Sequence, residues 1–202
     1  MLVYMHNAID EEELMRIKST EFQPGGFYHI YNHAAQGMLL FRDSDDYQKC
    51  LSLMQTHLSS PDYSMVTFCL MPNHYHFFLR QNGECPAYVI MNKIWFSYSK
   101  YYNLKYGGKG SIFAGKTQHK HVDKDIYLLR LSAYIHQNPV SAGLTVTPEQ
   151  WEWSNYREWV GLRDSLLCDQ SICRSYYSDE SSYKELMDEI ADNKQLKDYL
   201  LD

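Results

Sequence analysis

The 202-residue chain has no run approaching the roughly 20 consecutive apolar residues that a membrane-spanning helix requires, so a helical membrane protein is excluded. Cysteine is sparse and badly spaced for cross-linking or metal binding. The five residues at 50, 69, 85, 168 and 173 form no CxxC pair, which argues against a disulfide framework or a thiolate zinc site and for reduced, mostly buried thiols. Ten glycines, six prolines, and the absence of repeats or low-complexity tracts set aside fibrous and disordered classes. The start, MLVYMHNAIDEEE, lacks a basic segment followed by an apolar stretch and a cleavage site, and a cytoplasmic protein is expected. Positive charge is also short overall. Nineteen Lys and Arg face 25 Asp and Glu, for a net charge of -6, which is unfavourable for a uniform polyanion-binding surface.

What the chain does have is aromatic side chains, 15% of the total and led by 18 tyrosines, and a charge distribution that its average conceals. By segment the charge is -3 over residues 1–22, -2 over 23–92, +6 over 93–124, -2 over 125–162 and -5 over 163–202. The island at 93–124 holds seven lysines against the single Asp123, with Trp95, Phe96, Tyr98, Tyr101, Tyr102, Tyr106 and Phe113 interleaved and His119 and His121 near its end. Cations interleaved with aromatic surfaces are a composition suited to a polyanion.

Periodicity outlines one domain. FYHIYNH at 27–33 alternates after Pro24-Gly25-Gly26 and predicts a strand. Ser44-Asp45-Asp46 opens a helix on which Tyr47, Leu51, Met54 and Leu58 recur at helical spacing. Residues 64–70 and 74–81 read as a hairpin around Met71-Pro72-Asn73. Pro86 opens a long helix to Tyr106, ended by Gly107-Gly108, and a short strand follows within 111–121. Asp123 is expected to cap a helix that Pro139 stops. The order strand, helix, strand, strand, helix, strand, helix predicts an α+β fold with helices on an antiparallel sheet. Residues 147–162 would form a tryptophan-rich flap. From 163 the composition turns acidic and serine-rich, and a last helix near 180–200 is expected to be peripheral, as a docking helix or a dimerisation element. The boundaries are an N-terminal extension at 1–25, a core at 26–162 and an acidic extension at 163–202.

Two groups of residues carry possible chemistry. On a strand, alternation throws His74 and His76 onto one face and Tyr75, Phe77 and Leu79 onto the other, and two neighbouring imidazoles are half of a divalent-metal site. On the helix ending near 138, Tyr127, Leu131, Tyr134 and Asn138 share a stripe. If that stripe packs beside the histidines, Asn138 supplies an amide oxygen as a third ligand and Tyr134 a nucleophile for a phosphodiester. Spacing alone equally accommodates a core tyrosine and an asparagine that merely precedes a proline.

YHIYNH, LMPNHYHFFL and YIHQNPVSAGL followed by WEWSNY, in this order over residues 26–160, resemble the REP-associated tyrosine transposases, relatives of the one-tyrosine HUH transposases of single-stranded insertion sequences. The resemblance implies a ferredoxin-like (RRM-like) palm, His74 and His76 as metal ligands, Asn138 as the polar third ligand, Tyr134 as the nucleophile, and Mg2+ or Mn2+ as the ion. It implies single-stranded DNA with hairpin ends as substrate, cut through a covalent 5′-phosphotyrosine. Tyr31, Lys109, Phe113, Lys116, His119 and Lys120 are the expected DNA contacts, and a homodimer is possible. Relatives usually carry arginine at the position of His33, and a Phe-Gln-x-x-aromatic-Lys segment where this chain has Phe113-Ala114-Gly115-Lys116-Thr117-Gln118. A catalytically silent hairpin-binding descendant and a metal-dependent phosphoesterase for small substrates are the competing readings.

Overall fold

A computed structural model describes residues 22–122, 125–165, 167–175 and 183–188. Four strands, β1 (Phe27–His33), β2 (Tyr63–Met71), β3 (His74–Gln81) and β4 (Gln118–Val122), form one sheet in the order β2-β3-β1-β4. Every neighbouring pair is antiparallel. Helix α1 (Ser44–His57) joins β1 to β2, and α2 (Ala87–Tyr106) joins β3 to β4. This βαββαβ path with its split βαβ units is the ferredoxin-like palm. Helix α3 (Asp125–Ser141), a 3-10 turn (Pro148–Gln150), α4 (Tyr156–Trp159) and α5 (Gln170–Ser175) follow.

The helices reflect their sequence signals. Asp43 caps α1 by accepting from the Asp46 amide, and Asp45 and Asp46 occupy the positive end of the dipole. Gly107, at φ 66°, closes α2 in the left-handed conformation that glycine tolerates best. Asp123 and Lys124 lie outside the described residues.

Alternation divides the sheet's faces between two cores. Tyr28, Ile30, Phe68, Leu70, Tyr75, Phe77 and Leu79 pack with α1 and α2. Trp95 stacks on Tyr75 at 4.0 Å and on Phe77 at 5.6 Å, contacts worth about 0.5–1.5 kcal/mol each beyond buried area. Helices on one face is thus correct for the palm's own pair. Helix α3 lies across the opposite face, where Leu128, Leu131 and Ile135 pack with Val66, Met71 and Phe78, because its apolar stripe has no free surface left on the first.

Edge strand β2 carries a bulge between Met65 and Thr67, which turns Val66 and Thr67 together toward α3. Its freed backbone groups are answered by the flap. Asn155 accepts from the Phe68 amide at 2.8 Å and donates to the Val66 carbonyl at 2.9 Å, while the Trp159 indole donates to the same carbonyl at 3.0 Å. A buried bond of 2.7 Å from Thr67 to Ser132 latches α3 to the strand.

Two expectations are corrected. Pro139 does not stop α3; the helix runs through it to Ser141 and ends at Gly143, φ 69°. The Asn138 amide donates to the Tyr134 carbonyl at 2.9 Å and approaches the Ile135 carbonyl, which Pro139 leaves without its helical donor. Nor is the acidic extension peripheral throughout. Tyr183 and Met187, four residues apart, are buried in the second core, and the Tyr183 ring lies 4.7 Å from Trp159. The remainder of that expected helix, residues 189–200, lies outside the described residues, as does nearly all of the N-terminal extension.

Candidate active site

The β1–β3 register builds the site. Tyr31 pairs with His76 and His33 with His74, so period-two alternation places His29, Tyr31 and His33 on the face that carries His74 and His76. The His33 and His74 rings stack at 5.1 Å, and His74 and His76 meet edge-to-face at the same separation. Helix α3 covers this face. It brings Tyr134 edge-on to His76, ring centroids 5.8 Å apart, and sets Asn138 one turn further on. The sequence-based stripe is therefore assembled as expected at Leu131, Tyr134 and Asn138; the Tyr127 side chain lies outside the described set.

Each candidate ligand has one ring nitrogen held by the protein. His76 Nδ1 lies 3.0 Å from His29 Nε2 in a fully buried contact, and His74 Nδ1 lies 2.8 Å from Asn73 Oδ1. When Nδ1 carries the proton, Nε2 of each ring keeps a free lone pair, the form in which imidazole binds a metal. Burial keeps these rings neutral. It lowers His74 to about 4, helped by neighbouring His33 and opposed by a hydrogen bond with Asn138. Burial also puts His76 well below the usual range, with His29, His74 and His33 adding to the effect. His29 falls to about 3 through burial and the positive charge of Lys120. Burial raises the Tyr134 hydroxyl above its ordinary value, against which a hydrogen bond with Asn138 acts.

Among the described residues, no three His, Cys, Asp or Glu side chains converge closely enough to hold an ion. Asn138, whose Nδ2 is tied to the Tyr134 carbonyl, is the candidate that the resemblance implies for the third position, through its Oδ1. Two neutral imidazoles and an amide oxygen suit a divalent cation, manganese better than magnesium because of the nitrogens. With no carboxylate in the set, the ion's charge would remain uncompensated and available to a phosphate.

The expected DNA contacts divide between the two faces. Tyr31 lies 6.0 Å from His76, and Lys120, opposite His29 on β4, shares the histidine face. His119 points the other way and packs on Phe22 at 4.7 Å. Phe113 is half-buried against Trp95 and Tyr75, Lys116 stands beside it in the same loop, and Lys109 is exposed after α2. Lys105, part of the basic island, is bound to Asp43 and Asp46 at 2.8 and 2.9 Å. The residue that sequence reasoning passed over is His29; its signal was the alternation in FYHIYNH, the same logic that selected His74 and His76.

A four-stranded palm whose paired histidines face a tyrosine on an added helix defines an α+β protein with a tyrosine–histidine cluster on one face of its sheet. Residues 27–138 match the family model described as Transposase IS200 like, and the chain belongs to the IS200-like transposase family, a family of DNA-cleaving enzymes. Among solved structures, that of a REP-associated tyrosine transposase bound to a REP hairpin superposes with a TM-score of 0.59 at 16% identity. The match covers 73% of this chain and 87% of that one, and it shows the shared fold. A comparison with curated proteins yields no match.

Proposed function

We propose that the chain cuts and rejoins single-stranded DNA bearing hairpin ends, acting in the cytoplasm, with Tyr134 as nucleophile. The observation that carries this reading is the placement of the Tyr134 ring edge-on to His76, with Asn138 hydrogen-bonded on the same helix face. Family membership and a fold neighbour solved with a REP hairpin support DNA as the substrate.

In the first step the Tyr134 oxygen attacks a backbone phosphorus and the bond to the 3′ oxygen breaks. The phenol proton is transferred in net terms to the departing 3′ oxygen, leaving a 5′-phosphotyrosine and a free 3′ hydroxyl. A 3′ hydroxyl attacking that ester reverses the exchange, so one phosphodiester is traded for another and no nucleotide hydrolysis is needed. His74, His76 and Asn138 would hold a divalent ion, which when bound polarises a phosphate oxygen as a Lewis acid. Helix α3 holds the buried phenol beside His76, and Lys120 and Tyr31 border that face of the sheet, where the strand would approach.

The test is to incubate labelled single-stranded hairpin oligonucleotides with the protein and Mn2+ and to seek an adduct that survives denaturation. Wild type should form it, while Tyr134→Phe and His76→Ala should not. An adduct in the phenylalanine variant would remove Tyr134 from its role, and tight binding with no adduct would favour the silent hairpin-binding descendant.

A further inference from the structure

On the α2 side of the sheet, away from the histidines, a cavity of about 490 Å³ is walled by Asn32, Trp95, Phe96, Lys100, Phe113 and Lys116. Its size lies within the roughly 300–1,000 Å³ typical of small-ligand sites. Phe96 is 68% exposed and contributes no ring to either core, yet it stands on the lip with Lys100 Nζ 5.7 Å from its centroid. Phe113 is half-buried in the wall. The buried indole N–H of Trp95, also in the wall, has no hydrogen-bond partner among the described residues. Asn32 contributes an amide whose Nδ2 donates to the Gly115 carbonyl at 3.2 Å, which joins β1 to the loop carrying Lys116.

These are three chemistries in one concavity: aromatic faces, two ammonium groups, and amide donors and acceptors. Together they match a nucleotide, whose base has two π-faces and a polar edge and whose phosphate is anionic. A base paired within a duplex is stacked and cannot enter, so the occupant must be unpaired. The cavity also lies close to the chemistry along the chain. Asn32 immediately precedes His33, the residue paired with His74 at the end of the β1–β3 ladder, so cavity and histidines occupy opposite faces of one strand end.

We propose that this cavity takes one unpaired nucleotide of the DNA strand, its base against Phe96 and Phe113 and its phosphate beside Lys100 and Lys116. The proposal rests on the single-strand reading above and makes the pocket a reader of strand identity that is separate from the cleavage residues.

The experiment walks a single abasic nucleotide along a ten-nucleotide extension of a DNA hairpin and measures affinity by fluorescence anisotropy. For wild type, one position should lose about 5- to 150-fold in affinity when its base is removed, the span expected for one lost aromatic stack. In Ser99→Trp, which fills the cavity, and in Phe96→Ala, the penalty at that position should vanish while the intact oligonucleotide binds correspondingly more weakly. Phe96 is exposed, so its removal leaves the fold intact and carries the test if Ser99→Trp does not fold. The same abasic profile in wild type and Phe96→Ala, or a flat profile in wild type, overturns the pocket assignment alone. Failure of wild type to bind any hairpin oligonucleotide overturns it together with the single-strand reading.

Discussion

Replacing His29 with alanine removes the hydrogen bond at His76 Nδ1, a 3.0 Å contact between two rings that are 1% and 2% exposed. No bulk water can take the place of the lost imidazole at that depth, so His76 is freed to change tautomer and to rotate, and Nε2 is no longer held in the form that binds a metal. Loss of such an orienting partner costs about 10- to 100-fold in metal affinity, or about 1.4–2.7 kcal/mol. His29→Gln places an amide oxygen near the same point and should recover most of it. Mn2+ titration followed by electron paramagnetic resonance measures the affinity directly, without DNA, and thermal melting confirms that each variant is folded. Folded His29→Ala protein binding Mn2+ as tightly as wild type would refute the reasoning. It would mean that the strand geometry alone orients His76.

Asn155→Leu keeps the side chain's volume but strips partners from the Phe68 amide and from His136, and one of two donors from the Val66 carbonyl. At about 1–3 kcal/mol for each buried group left unpaired, urea denaturation should show a loss of about 3–5 kcal/mol, and a loss below about 1 kcal/mol would contradict the bulge-anchoring role. His136, buried between Tyr183 and Asn155, has its pKa pushed down to about 3 by burial, partly offset by the hydrogen bond to Asn155. Below about pH 6.5 the unfolded chain takes up a proton that the folded chain refuses, so stability falls as pH drops from there toward 3. His136→Gln should reduce the slope of stability against pH between 6 and 4 by about 1.4 kcal/mol per unit, and an unchanged slope in urea titrations would show that His136 is not the group responsible.

The palm was readable from sequence because its signals are local. Alternation in FYHIYNH and HYHFFLRQ, the acids after Asp43 and the glycines after Tyr106 each act within a few residues, and β1, β3, α1 and α2 fall where they indicate. The histidine pair and the Tyr134–Asn138 stripe were visible for the same reason. What escaped depends on contacts between distant segments. Pro139 looked like a stop because a side chain, Asn138, takes over part of the backbone's hydrogen bonding. The acidic extension looked detached because charge outweighs the two residues, Tyr183 and Met187, that insert into the core. His29 could be valued only once the β1–β3 register set it against His76, and that register also turned His119 away from the site. Lys105 counted as a cation for DNA until its pairing with Asp43 and Asp46 on α1 assigned it to the fold.

The sheet is complete at Val122, before α3 begins, and both histidines already stand in it together with their orienting partners, His29 and Asn73. The proposed nucleophile is thus carried by an arm the palm does not need for its own closure, latched through Thr67–Ser132 and backed, through its own His136, by Trp159 and Tyr183. Holder and striker are separate pieces of one chain. Under the proposed function, substitutions on the back of that arm would retune the reach of Tyr134 while the two histidines stay in place, a means of adjusting cutting without rebuilding what grips the ion.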